Sequence, residues 1–434
     1  MLPRPFPTIR RLGLAICTGL ALLPLHSAGA DTLYVRAGKL VDVEKSRVLT
    51  DQLIRVEDGR ITAVTAYAAP PADAKLVDWS RYMVLPGLID MHTHLADWGQ
   101  TSNVAEPLLH SVAEIALVGA QNAHTTLKAG FTTVHDVGCF RAFTDVALRD
   151  AINAGRVPGP RMSVVGAYIT APGGGGEVTG FAPDVAVPAD MRVGVVADAA
   201  EARVRTRYLF QHGVDTIKII ATGAVLAEGT EPGQMEMTEE EMRAVVTQAA
   251  QHGSYATAHA HGAAGIKAAI RAGVRSVEHA SLIDDEGIAL AKARGVALVM
   301  DIYNGDYIEE VGTREGWPEG HLRKNRETTD AQRDGFRKAV KAGVKIAYGT
   351  DAGVYPHGDN ARQFPYMVRY GMTPMQAIQA ATVVAADVLG WSRDVGAISP
   401  GRYADMIAID GDALADIGLL SKVTAVMKGG ALVD

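Results

Sequence analysis

The sequence predicts an α/β protein in which a (β/α)8 barrel is flanked by a small β-sandwich built from both ends of the chain. Three observations carry this. Strand-like and helix-like segments alternate through the middle, the two ends share a β-rich pattern that the middle lacks, and histidines gather where the middle strands run out. At 434 residues the chain has room for a large barrel and a second, smaller unit.

The first 30 residues read as a signal peptide rather than as part of the fold. Arg4, Arg10 and Arg11 give a positive start, residues 12–25 form an apolar run, and Ala28-Gly29-Ala30 reads as a cleavage site before Asp31. The run falls short of the ~20 residues that a membrane span needs. An exported protein, periplasmic or secreted, with no stable membrane span is expected. Cys17 lies inside the run, so the mature chain keeps only Cys139 and can form no internal disulfide.

Residues 31–83 supply the first part of the sandwich, with runs such as Leu33-Tyr34-Val35-Arg36 and Leu53-Ile54-Arg55-Val56 and turns at Glu57-Asp58-Gly59 and Ala69-Pro70-Pro71. The pattern returns over 395–434, in Ala404-Asp405-Met406-Ile407-Ala408-Ile409 and in 423–433 around Gly429-Gly430. Between them, over 84–394, candidate strands lie at 84–91, 132–136, 162–169, 216–222, 255–259, 276–279, 297–302 and 345–351. Helical periodicity fills gaps at 239–252, 263–272 and 334–342, and Gly253, Gly273 and Gly343 sit just past those helix ends, where a left-handed cap is wanted. This is the pattern of a TIM barrel with insertions. A doubly wound open sheet would want a Gly-x-Gly-x-x-Gly turn between strand and helix, and there is none.

Composition is ordinary for a globular protein, with 48% apolar and 21% charged residues. The net charge of −7, without a basic block, argues against nucleic acid as a partner.

Barrel enzymes carry their chemistry at strand C-termini. The first strand ends in His92-Thr93-His94, and residues two apart share a face, so both imidazoles point into the barrel mouth. On the fourth strand, outward Ile217 and Ile219 leave Lys218 facing inward. The fifth ends at His259 and continues to His261, the sixth ends at His279 and the eighth at Asp351. Imidazole and carboxylate suit zinc, and open sites of this type are catalytic. Lys218 as an ammonium would repel divalent ions. As a carbamate, formed with carbon dioxide, it becomes an anionic ligand able to bridge two Zn2+ or other divalent metals. An ordinary lysine would instead imply one metal, or a salt bridge to a nearby acid.

Pro86-Gly87-Leu88-Ile89-Asp90-Met91-His92-Thr93-His94 closely resembles the opening metal motif of the amidohydrolase superfamily, and Asp215-Thr216-Ile217-Lys218-Ile219 resembles the carboxylated-lysine strand of its binuclear members. Thr257-Ala258-His259-Ala260-His261-Gly262, Ser276-Val277-Glu278-His279 and Gly349-Thr350-Asp351-Ala352-Gly353 follow in the expected order. The resemblance is strongest to the imidazolonepropionase-related branch, with its Xaa-Pro-type dipeptidases and ochratoxin-degrading amidohydrolases. It implies that His92 and His94 bind one ion with Asp351, that His259 and His279 bind the other, and that Lys218 bridges. It also implies a metal-bridging hydroxide that attacks an amide of a dipeptide or N-acyl amino acid, with Asp351 moving the proton, and a homo-oligomer. Candidate donors to the substrate carboxylate are His261, Tyr303 and His357; alternatively His261 supports the metal shell, Tyr303 lines the core and His357 orders its loop. His135 stands where relatives often have arginine, Gly173–Gly176 where many show Gly-Gly-His, and Gln363 where an acid is common, which leaves substrate preference open. The glycine run reads either as a loop over the pocket or as a surface turn. The alternatives are a mononuclear imidazolonepropionase-like ring hydrolase, a lactonase or esterase, and a non-catalytic metal-binding protein.

Overall fold

The computed structural model describes residues 32–99, 103 and 105–434, so the expected signal peptide lies outside the described residues. Apolar residues at alternate positions build the first strands, β1 (Thr32–Asp42), β2 (Arg47–Glu57), β3 (Arg60–Ala66) and β4 (Lys75–Pro86). The middle of the chain adds β5 (Leu88–Thr93), β6 (Phe131–Asp136), β7 (Arg161–Val164), β8 (Tyr168–Ile169), β9 (Ile217–Ile220), β10 (Ala256–Ala260), β11 (Ser276–His279), β12 (Ala297–Val299) and β13 (Ile346–Ala347). The end supplies β14 (Met406–Ile409), β15 (Val423–Lys428) and β16 (Ala431–Leu432).

Strands from both ends do meet, and hydrogen bonding joins them in one seven-stranded sheet, β16-β15-β14-β4-β1-β2-β3, rather than in two. The reason is β4, which is twelve residues long and carries β1 on one edge and β14 on the other. Val35, Ile54, Trp79, Val84 and Met406 pack in a single apolar cluster on this β domain.

The middle strands lie in two parallel sheets, β5-β6-β7 and β13-β12-β11-β10-β9-β8. Hydrogen bonds join the sheets at both edges. Asp215 N donates to Val164 O (2.9 Å) between the approach to β9 and β7, while Met91 N donates to Tyr348 O (2.8 Å) and Asp351 N to His92 O (2.8 Å) between β5 and the chain beyond β13. Helices such as Glu239–Gln251 and Ala263–Ala272 separate successive strands, and their apolar faces join those strands in the main core. Among the described residues, no helix is long and apolar enough to cross a membrane.

Two expected strands are split. The run at 84–91 breaks at Gly87, where a Cβ would stand 2.1 Å from Thr132 Oγ1. That break hands the chain from the β domain to β5. The run at 162–169 breaks around Gly166, which has φ +78°. The helix expected at 334–342 is the end of a longer one, Glu319–Ala342. Its first half buries His321, Lys324, Asn325 and Thr328, so the helical period is present there largely in polar residues and apolar periodicity misses it.

Candidate metal centre

β5 delivers His92 and His94, with Asp90 beneath them. Asp90 accepts from His92 N (3.1 Å), Thr350 N (3.0 Å), Thr350 Oγ1 (2.6 Å) and Asn360 Nδ2 (2.8 Å), which pins β5 to the segment that carries Asp351. His92 Nδ1 lies 3.2 Å from Glu278 Oε2, and His94 Nδ1–H donates to Gly138 O (2.8 Å). Both Nε2 atoms then face Asp351 Oδ1, at 3.2 and 3.1 Å. Across the mouth, His259 Nε2–H donates to Gly223 O (3.2 Å), His261 Nδ1 lies 2.8 Å from Ser281 Oγ, and His279 Nδ1 lies 3.0 Å from Asp301 Oδ1. Each imidazole thus has one nitrogen held by an outlying protein oxygen, as outer-shell partners of metal-ligating histidines arrange them, and those of His92 and His94 turn the other to Asp351.

Donor atoms fall into three groups whose members lie within 4.8 Å of one another: His92, His94 and Asp351; His259, His261 and His279; and His279, Asp301 and Asp351. Lys218 is buried and lines the same cavity, of about 200 Å³. Two members sit on strained backbone, His279 at φ 66° and Asp351 at φ 59°, a left-handed conformation that is uncommon for residues with a side chain.

Electrostatics prepare these groups for a cation. Burial, followed by the neighbouring His279, holds His259 and His261 well below the usual imidazole range, so both are neutral and carry a free lone pair. Burial pushes the Asp351 carboxyl up, but His92 and His94 outweigh it and hold the group well below its usual value. Glu278 behaves alike: burial raises it, and His92 and Lys218 bring it to about 2. Burial lowers the Lys218 amine, opposed by Glu278, Asp351 and Asp301. Neutral imidazoles and an ionised carboxylate converging in a buried mouth are the donor set that a borderline-soft divalent ion takes.

The seven inward residues expected from the sequence (His92, His94, Lys218, His259, His261, His279 and Asp351) all line this cavity. Tyr303 and His357 are not among its lining residues. The helical turn Asn304–Tyr307 swings Tyr303 into an aromatic cluster with Tyr355 and Tyr366, where its hydroxyl accepts from Arg362 Nη1 (3.1 Å). His357 is packed beside His94, away from the cavity lining. Gly175 and Gly176 do line it, and Glu236 and Thr170 anchor their N–H groups, at 2.8 and 3.3 Å. His135 lies deeper, with Nε2 2.9 Å from Thr216 Oγ1, and Gln363 donates to Gly349 O (2.6 Å).

Sequence reasoning missed Glu278, Asp301, Asn304 and Gln332. Asp301 also accepts from Gln332 Nε2 (2.7 Å) and Asn304 Nδ2 (2.8 Å), and Asn304 Nδ2 reaches Asp351 Oδ2 (3.1 Å). One signal was available: Asp301 is the sole charged residue in the apolar run 297–302. Glu278 was hidden by strand alternation, which would turn it away from His279; the positive φ of His279 breaks that alternation.

The profile of the Amidohydrolase family matches residues 83–433. The chain belongs to the amidohydrolase family. It is 31% identical over 386 residues to the ochratoxinase of Aspergillus niger, covering 81% of this chain and 75% of that protein. A crystal structure of a Xaa-Pro dipeptidase with methionine bound in its active site superposes with a TM-score of 0.86 at 36% identity, over 92% of this chain and 99% of that one. A prolidase complexed with N-methylphosphonate-L-proline gives a TM-score of 0.86 at 27% identity, over 93% and 99% of the two chains. These likenesses imply a (β/α)8 barrel with an attached β domain, and the family's characterised members are hydrolases.

Proposed function

We propose that this amidohydrolase is a binuclear metal-dependent enzyme that hydrolyses the amide bond of a dipeptide or N-acyl amino acid inside a closed (β/α)8 barrel. The observation that carries the proposal is the linkage of the donor groups. His279 and Asp351 each belong to more than one of them, and Lys218 opens onto the same cavity. A single ion would not need three overlapping groups. The hydrogen bonds joining the two parallel sheets at both edges support closure of the barrel.

In this reading His92, His94 and Asp351 would hold one divalent ion and His259 and His279 the other, and Lys218, as its carbamate, would supply an anionic ligand to the pair. Zinc suits the nitrogen-rich set. When bound, the ions supply an acidified water and an electrophilic hold on the scissile carbonyl. The protein supplies the rest. Burial favours the neutral Lys218 amine, the form that adds carbon dioxide. Asp351 takes the proton of the attacking water and delivers it to the leaving nitrogen, which as an amide nitrogen departs poorly without it. Asn304 holds the far oxygen of Asp351, so that its near oxygen keeps its bearing on His92 and His94.

Phe140, Val178, Leu226, Ile308 and Val354 in the cavity lining suit a bulky apolar group beside the scissile bond. The names of the ochratoxinase and Xaa-Pro dipeptidase relatives are in keeping with amides of amino acids. Export with removal of residues 1–30 belongs to the same reading.

The test is a screen of dipeptides and N-acyl amino acids, ochratoxin-like amides included, on zinc-loaded mature protein, with matched esters and lactones alongside. Metal content is counted by elemental analysis, and the Lys218 adduct is sought by carbon-13 NMR with labelled bicarbonate. No amide turnover by fully metallated protein sinks the proposal. One ion per chain and no adduct favours the mononuclear alternative.

A further inference from the structure

His261 was expected to meet substrate, yet it is built like the other cavity histidines. His92, His94, His259 and His279 each have one ring nitrogen engaged by a protein oxygen: Glu278, Gly138 O, Gly223 O and Asp301. His261 has the same arrangement, with Nδ1 2.8 Å from Ser281 Oγ and its main-chain N–H donating to Thr222 Oγ1 at 2.9 Å. The ring is fixed in place, and the residue lines the cavity with a donor nitrogen within 4.8 Å of those of His259 and His279.

The rings of His259, His261 and His279 form a nearly equilateral triangle, with centroids 4.6, 4.6 and 4.7 Å apart. Their donor atoms lie within 4.8 Å of one another. A substrate carboxylate would seek a cationic or N–H-rich partner. Three buried imidazoles whose donor atoms converge offer nitrogen ligands instead. Three histidines around one open position is an established zinc arrangement in catalytic sites.

We infer that His261 is a metal ligand together with His259 and His279, so that one ion is held by three imidazoles and does not depend on Lys218 for its retention. This rests on the metal-dependent reading above and adds a ligand to it. Ser281 then acts as a positioning residue, orienting His261 towards the ion.

Zinc content and affinity of the full mature chain, measured by elemental analysis and chelator competition, test the inference without reference to turnover. Wild type is expected to hold two equivalents. His261→Ala is expected to lose one of them, or to bind it at least about tenfold more weakly. Ser281→Ala should weaken the same equivalent by about 10–100-fold, the usual cost of removing an outer-shell partner. It also serves as the test should His261→Ala fail to fold, which circular dichroism reveals. Both variants retaining two equivalents at wild-type affinity overturns the inference, even if KM rises. A wild type that holds one ion overturns the binuclear reading alone. His261→Ala then still decides, by losing that ion or keeping it.

Discussion

Asp351 stands at the junction of the site, with one oxygen toward His92 and His94 and the other held by Asn304. Asp351→Asn keeps a side-chain oxygen on the ligand side and removes the proton acceptor. Amide turnover should fall by about 10²–10⁴-fold or more, with at least one equivalent of metal retained in elemental analysis; normal turnover would remove Asp351 from proton transfer. Asp97, at the cavity wall, is raised to about 8 by burial, with Phe140 N as its compensating donor and Asp145 adding to the rise. An acid whose folded pKa exceeds its unfolded one weakens the fold as pH climbs between the two values. In metal-free protein Asp97→Asn should therefore unfold at higher denaturant than wild type, with a gap of about 1 kcal/mol or more near pH 8 that closes towards pH 4. A gap independent of pH would mean that Asp97 is ionised in the fold. At this scale the sequence was most readable where strand alternation fixes direction. His92, His94, Lys218, His259 and Asp351 could be assigned to the mouth because each ends or faces along a strand. Tyr303 and His357 could not, because the turns that follow β12 and β13 decide where they point.

The helix Glu319–Ala342 shows how an element can be half legible. Its second half buries Phe336 and Ala339 and reads as amphipathic, whereas its first half buries Lys324 and Asn325, which do structural work through hydrogen bonds. Lys324 Nζ donates to the carbonyls of Ala224 (3.1 Å), Ala227 (2.5 Å) and Thr230 (3.2 Å), tying down a loop that lines the cavity. Lys324→Met keeps the apolar stem and removes all three bonds. Stability should drop by about 1–3 kcal/mol, and KM should rise as the wall loosens; urea melts and steady-state kinetics would check both. Gly38 makes a comparable point in β1. A Cβ there would lie 1.9 Å from the carbonyl oxygen of Ser80, so Gly38→Ala should cost about 1–3 kcal/mol or more by overpacking. Because that contact lies in the β domain, metal content of the folded fraction should stay at the wild-type level. Nothing in the residue pattern around Gly38 announces the close approach, since it depends on a strand more than 40 residues away.

At the scale of the whole molecule, the alternation of strands and helices and the β-rich ends were readable, because both follow from local periodicity. That the end strands share one sheet was not, because β4 decides it by carrying partners on both edges. Removing residues 406–434 should therefore destroy the fold rather than trim it. The β4 edge would be bared and the apolar cluster that Met406, Ala408 and Met427 complete would open. Soluble yield and a thermal melt would show this, and a cooperative melt near the wild-type temperature would contradict it.

The central place of β14 also has a kinetic consequence. As the ribosome extends the chain from its amino end, β1 to β4 emerge early, but the neighbour that seals β4 is over 300 residues behind. Until it arrives, a nascent chain presents a bare ladder of N–H and C=O groups, so ribosome-associated chaperones, or a second nascent chain in error, have their opportunity at that edge.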